Sequence, residues 1–338
     1  MAEPAVKEAA ASPRVRPTSA RRSLREAGVF AALVVLCALI AASGARSAFL
    51  SPGNLQNLSR QIALLGVFAI GEAIVIIAGG IDLSVGSVIG ISGMVCARLF
   101  ADWHWPLAGA IAAALVLSLL IGIIHAALIH HLRIPPFIVT LGSLSILRSL
   151  AQLMTNAMPI PTVGEGLASG GLDFLVSGRV LGVPVSVCLL AILLIALELL
   201  MRRSREGRYL YSIGSNEEAA RLSGVMLFRT KAVAYGLSAL LAGVAGVLYV
   251  GYNGQGDPRS GSGYELNAIA AAVVGGCSLQ GGQGTLLGAV IGAAILNVIL
   301  NGINLIIQKN ASLWEGTIVG SVVVLAVTLN VIGRRRER

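Results

Sequence analysis

The sequence predicts an all-α, polytopic transmembrane protein of about ten spans, with broken helices and a parallel internal pseudo-repeat. Three observations carry that prediction. Hydrophobic residues make up 56% of the 338 residues and charged residues only 12%, too little charge to cover a water-soluble domain of this length. The apolar residues gather into runs long enough to cross a bilayer, and most of the 25 basic residues sit between and beside those runs.

An apolar helix needs about twenty residues to cross the hydrocarbon core, with shorter pieces tolerated where protein shelters them. Ten segments qualify: roughly Gly28–Gly44, Gln61–Gly79, Leu83–Phe100, Leu107–His130, Phe137–Thr155, Val183–Met201, Lys231–Tyr252, Leu266–Ser278, Gly284–Ile307 and Leu313–Ile332. The third and eighth contain or abut glycine-rich breaks. The transmembrane region is thus 28–332, flanked by basic tails at 1–27 and 333–338 and interrupted by a polar connection over 202–230. The first apolar run is retained as a span, because it continues too far for a secretory signal, lacks a small-residue cleavage site and precedes many similar runs.

With the N-terminus inside, eighteen of the 25 basic residues fall on one side: the N-terminal tail, Arg133, the connection from Arg202 to Lys231 and the final arginines. The positive-inside bias then expects both termini and that connection in the cytoplasm, and the segment from Asn156 to Leu181 outside. Trp103, His104 and Trp105 fall in a short exterior turn, as an interfacial anchor. The net charge of +9 reads as this topology signal, not as nucleic-acid binding, since the cations are not interleaved with aromatics on a folded surface. Cys37, Cys96, Cys188 and Cys277 all lie in apolar stretches and read as small buried hydrophobes, with no spacing for a disulfide frame or a metal site.

An internal echo divides the chain. Ala78-Gly79-Gly80 and Gly86-Ser87-Val88-Ile89-Gly90 recur as Val274-Gly275-Gly276 and Gly288-Ala289-Val290-Ile291-Gly292. An even number of spans separates the copies, so both keep one orientation, a known way of building a transporter with its site at the repeat interface. Gly86 with Gly90, Gly284 with Gly288 and Gly292, and Gly316 with Gly320 have the spacing that lets helices approach closely. Asp82 and Ser84 both have side chains able to accept hydrogen bonds from free amides at a helix start, beside glycines that release the preceding helix.

The run Gly79-Gly80-Ile81-Asp82-Leu83-Ser84-Val85-Gly86-Ser87 resembles the signature of the ribose-type permeases of ATP-binding-cassette importers. Ser51-Pro52-Gly53-Asn54-Leu55, Pro136-Phe137-Ile138-Val139-Thr140-Leu141-Gly142 and Gly263-Tyr264-Glu265-Leu266 with the alanines that follow resemble further blocks of that family, and the resemblance covers nearly everything from Gly28 to Ile332. It implies a permease subunit that imports a monosaccharide across the bacterial inner membrane. The implied partners are separate ATPase subunits, a periplasmic or extracellular sugar-binding protein, and a second permease copy or close homologue. No cofactor or catalytic residue is expected of the chain itself.

Within the polar connection, Glu217, Glu218, Ala219 and Ala220 followed by Gly224 resemble the coupling motif that docks on the ATPase. Read physically, this is a short polar helix with small alanines, closed by a glycine that suits a helix C-terminus. Gly281-Gly282-Gln283-Gly284 lacks the lysine and hydroxyl residue of a phosphate-binding loop, so ATP hydrolysis is assigned to another chain. Polar groups at helix breaks are the expected lining of the translocation pathway, which picks out Asp82, Ser84, Asn267 and Asn301. Three positions depart from the family pattern: no leucine-proline follows Gly224, Asn267 stands where an acidic residue is common, and Gln283 where a lysine often stands. Sugar identity therefore does not transfer with the resemblance.

Two rival functions follow from the residues. Ion-coupled transport requires an ionisable group within a span, and Glu72 is the main candidate, with Arg148 and Glu198 nearer span ends. A membrane-embedded hydrolase would use serines and His125, but the sequence has neither a nucleophile elbow nor a His-Glu-x-x-His motif.

Overall fold

A computed structural model of the protein describes residues 19–161, 171–307 and 311–335. Most of the N-terminal tail, the end of the C-terminal tail and part of the expected exterior segment lie outside the described residues. The helices that build the fold are α1 (Ser19–Ala42), α2 (Pro52–Ile77), α3 (Val85–Ala97), α4 (Leu107–His131), α5 (Pro136–Leu153), α6 (Val185–Arg203), α7 (Arg205–Ser215), α8 (Glu217–Leu222), α9 (Leu227–Asn253), α10 (Tyr264–Val274), α11 (Leu286–Ile307) and α12 (Glu315–Arg335). A wider π turn at Arg98–Asp102 prolongs α3.

Among the described residues, seven helices are long and apolar enough to cross a membrane: α2, α3 with its π turn, α4, α5, α6, α9 and α11. Each lies on one of the predicted segments. Helix α2 is the centre of the bundle, with every residue from Ala63 to Ile77 buried, and α9 packs against α2, α3 and α4. Helices α4, α5 and α6 turn apolar faces outward instead. Ile124, Ile146, Ile192 and Ile195 are all more than half exposed, Ile195 at 69%. Such a continuous apolar coat is unstable in water and is what a bilayer solvates. The chain is therefore a multi-pass membrane protein.

The eighth predicted span is the one the structure alters most. It forms a helix of only 11 residues, Tyr264–Val274, or about 16 Å of rise, which cannot cross a hydrocarbon core of about 30 Å. Gly275 and Gly276 end it, and the chain then continues without regular helix to Leu286. The short helix survives because it is sheltered by α2, α11 and α12.

The sequence echo becomes a repeated structural break, in a register one residue different from the one read off the letters. At the end of α2, the amides of Ala78, Gly79 and Gly80 donate to the carbonyls of Ile74, Ile76 and Val75. At the end of α10, the amides of Gly275, Gly276 and Cys277 donate in the same order to Ala271, Val273 and Ala272. The left-handed residues are Gly79 (φ 86°) and Gly276 (φ 98°), so Gly79 corresponds to Gly276, not to Gly275. Only glycine adopts that conformation cheaply, and its demand sets the register.

Candidate functional site

The two breaks meet. The Gly282 amide, in the loop after the second break, donates to the Ile77 carbonyl at 2.8 Å, satisfying an oxygen that the first break would leave bare. Asp82 lies fully buried beside this junction. Its Oδ1 accepts from the Ser84 amide at 3.0 Å and the Ser84 hydroxyl at 2.6 Å, and its Oδ2 accepts from Ser238 of α9 at 2.9 Å. The carboxylate thus caps the approach to α3 and ties it to α9. Ser84 was expected to accept an amide hydrogen as well; it has no such capping bond, and its hydroxyl donates to Asp82 because that strong acceptor lies within reach. Glu72, fully buried, accepts the Asp82 amide through Oε1 at 3.3 Å. It belongs to the same junction and lines neither cavity described below.

The polar connection folds onto the junction. Ser204 Oγ accepts the Gly207 amide at 3.0 Å and starts α7; Asn216 Oδ1 accepts the Ala219 amide at 2.9 Å and starts α8. Gly214, at the end of α7, lies so close to the Ile77 carbonyl oxygen and the Gly282 nitrogen that a Cβ there would overlap both. The Tyr211 hydroxyl donates to the Gly284 carbonyl at 2.9 Å. One short helix therefore rests on both breaks at once. Neither Gly214 nor Tyr211 was singled out from sequence, because their partners are distant in the chain.

Helix α8 carries the expected coupling residues. Glu217 pairs with Lys231 at 2.7 Å, and Glu218 with Arg221 at 2.5 Å. Glu217, Glu218 and Ala219 are exposed, while Ala220 packs inward with Ile213 and Val225. The hydrogen bond from Arg221 holds the Glu218 carboxyl below its ordinary range. Gly224 takes φ 81°, and the Val225 amide donates back to the Ala220 carbonyl at 3.1 Å, so the helix ends on a left-handed glycine as expected. A groove of about 970 Å³ separates α8 from the first break, with Gly80, His130, Arg133, Glu218 and Tyr235 among its walls.

At the other end of α2 lies a second cavity, of about 480 Å³. Asn267 of α10 and Asn301 of α11 both line it, whereas Asp82 and Ser84 do not. The structure thus brings two of the four expected pathway residues together and places the other two in the buried junction. Asn54, Asn57 and Gln61 of α2 and Asn297 and Asn304 of α11 complete a carboxamide lining that sequence reasoning missed. Their spacing of three and four residues, which stacks side chains on one helix face, was the available signal. Asn54 and Asn301 form a reciprocal amide pair: each Nδ2 donates to the other's Oδ1, at 3.1 and 2.8 Å. Among the described residues no group of three or more His, Cys, Asp and Glu side chains could hold a metal ion.

Comparison with known proteins fits this architecture. Residues 54–331 match the family described as branched-chain amino acid transport system / permease component. The chain is 38% identical to the ribose import permease protein of Escherichia coli (strain K12) over 298 residues, 88% of this chain and 91% of the relative. It is 34% identical to the ribose import permease protein of Bacillus subtilis (strain 168), covering 91% of this chain and 93% of that one. The xylose transport system permease protein of Escherichia coli (strain K12) is 33% identical, covering 86% and 88% respectively. On a match that runs from the start of α2 through most of α12, this chain belongs to the family of permease components of membrane transport systems.

Proposed function

We propose that the chain is the membrane-spanning subunit of an ATP-driven importer that brings a monosaccharide of the ribose and xylose kind into the cytoplasm. The observation that carries this reading is the contact of α7 with both helix breaks, next to the exposed carboxylates of α8. A protein docked on α8 has a rigid path to the two points where the bundle is discontinuous, and such discontinuities are where transporters place their moving parts. The sugar class follows from the names of the relatives. ATP hydrolysis belongs to separate subunits gripping Glu217, Glu218, Ala219, Ala220 and Gly224. A soluble sugar-binding protein delivers from the opposite face, and a second copy or close homologue completes the assembly. Asn267 and Asn301 line the route, while Asp82 and Ser84 hold the break that the route depends on.

Uptake of labelled ribose and xylose by cells expressing the complete system tests this reading. Uptake is expected to survive collapse of the proton and sodium gradients and to stop when ATP is depleted; the opposite pattern would establish ion coupling, the role for which Glu72 was the candidate. Orientation has its own check. Ser177 and Ser215 are both exposed, and with the basic connection in the cytoplasm an impermeant thiol reagent applied to intact cells should label Ser177→Cys and spare Ser215→Cys. Labelling of Ser215→Cys alone would invert the topology.

A further inference from the structure

The carboxamide-lined cavity holds more polar capacity than the described hydrogen bonds use. Among the described residues, seven carboxamides line it, from Asn54 to Asn304, together with one carboxylate, Glu315, and no lysine, arginine or histidine. The side chains of Gln61, Asn267 and Asn304 make no hydrogen bond to any described residue. Each carboxamide offers both a donor pair and an acceptor, the complement of a hydroxyl that must do both. The reciprocal Asn54–Asn301 pair presents the same alternation that a vicinal diol offers and can be exchanged for one.

The rest of the described wall is apolar, six leucine and isoleucine side chains with four aromatic rings. Phe68 and Tyr264 stack with centroids 5.8 Å apart and planes 4° from parallel, and Tyr249 lies 5.2 Å from Tyr264. Flat rings beside amides suit a molecule with an apolar C–H face and a polar edge. The volume falls within the range of small-molecule sites. Charge favours such a solute: none of the described lining residues offers a cation to offset the desolvation of an amino acid's carboxylate or a sugar's phosphate.

We propose that this cavity is a binding site of the permease chain itself for one neutral, polyhydroxylated ring, and that its lining discriminates among the solutes that pass. The proposal rests on the sugar-import reading and adds to it a selecting site beyond the one on the delivery protein. The test is binding of D-ribose, D-xylose, D-glucose, L-leucine and D-ribose 5-phosphate to the full chain in lipid nanodiscs, measured by saturation-transfer NMR and calorimetry. Saturable binding is expected for one or more of the neutral sugars, and for neither leucine nor the sugar phosphate. Tyr264→Ala should weaken it about tenfold, while Tyr264→Phe keeps the ring and stays near wild type. Asn267→Ala and Asn304→Ala should each shift the preference between sugars by about fivefold, the weight of one hydrogen bond. Asn304 is exposed near the end of α11, so its substitution leaves the fold alone even where Tyr264→Ala does not.

No saturable sugar binding, equal binding of leucine, or sugar binding unchanged in every variant would overturn the proposal. Uptake by the intact complex separates the two claims. If the wild-type complex imports no sugar, the sugar-import reading fails; if it imports sugar and the variants keep wild-type KM and preference, only the binding site fails.

Discussion

Gly214→Val is expected to abolish ATP-dependent uptake while the chain still inserts and still binds its ATPase. The reason is steric: a Cβ at residue 214 overlaps the Ile77 carbonyl oxygen and the Gly282 nitrogen, the two atoms whose hydrogen bond joins the breaks. Neither atom is the end of a flexible side chain, so the backbone of α7 or of a break must move. Overpacking of this kind costs about 1–3 kcal/mol, enough to hold the breaks apart without unfolding a bundle centred on α2 and α9. Gly214→Ala introduces the same overlap with fewer atoms and should reduce uptake in the same direction. The measurement is uptake normalised to membrane abundance, with co-purification of the ATPase. Wild-type transport by both variants would show that α7 merely rests against the breaks and passes nothing to them.

The second large effect concerns docking. Gly224 has open space around the position of a Cβ, but its φ of 81° is one that β-branched residues avoid. Gly224→Val should therefore cost roughly 1 kcal/mol or more through backbone strain alone, loosening the end of α8. Glu218→Lys acts on charge. The native carboxylate is exposed and accepts hydrogen bonds from Arg221; reversing it sets two cations side by side on the surface offered to the partner. Both variants should appear in the membrane at normal abundance and lose ATPase co-purification and uptake together. This pattern differs from that of Gly214→Val, where association persists and transport stops. Wild-type association and uptake in both α8 variants would reduce the connection to an ordinary solvated loop.

The contrast between these variants marks how far the sequence is legible. Hydropathy locates the spanning helices because lipid imposes length and composition directly, and Gly224 is readable because a left-handed helix end demands glycine locally. Residues whose roles depend on distant partners were not readable: Gly214 meets Ile77 and Gly282 only after folding. The break register was misread by one residue, since Gly275 and Gly276 are equivalent as letters and differ only in which one takes positive φ. The carboxamides of α2 and α11 stood in plain view at helical spacing, but a stripe is meaningful only once the facing stripe is known, and Asn54 and Asn301 are paired across the whole chain.

The hydrogen bond between Gly282 and Ile77 also orders events in biogenesis. The ribosome makes the Ile77 carbonyl about two hundred residues before the amide that satisfies it, a wait of roughly 10–40 s at synthesis rates of about 5–20 residues per second. Throughout that interval the most buried helix of the finished bundle ends on an uncompleted junction, and no later helix of the first repeat supplies the missing donor. Synthesis of the loop after the second break is thus the step that closes the first. A nascent chain released before residue 282 carries an open seam at its centre, the kind of defect by which membrane quality control can tell an unfinished permease from a finished one.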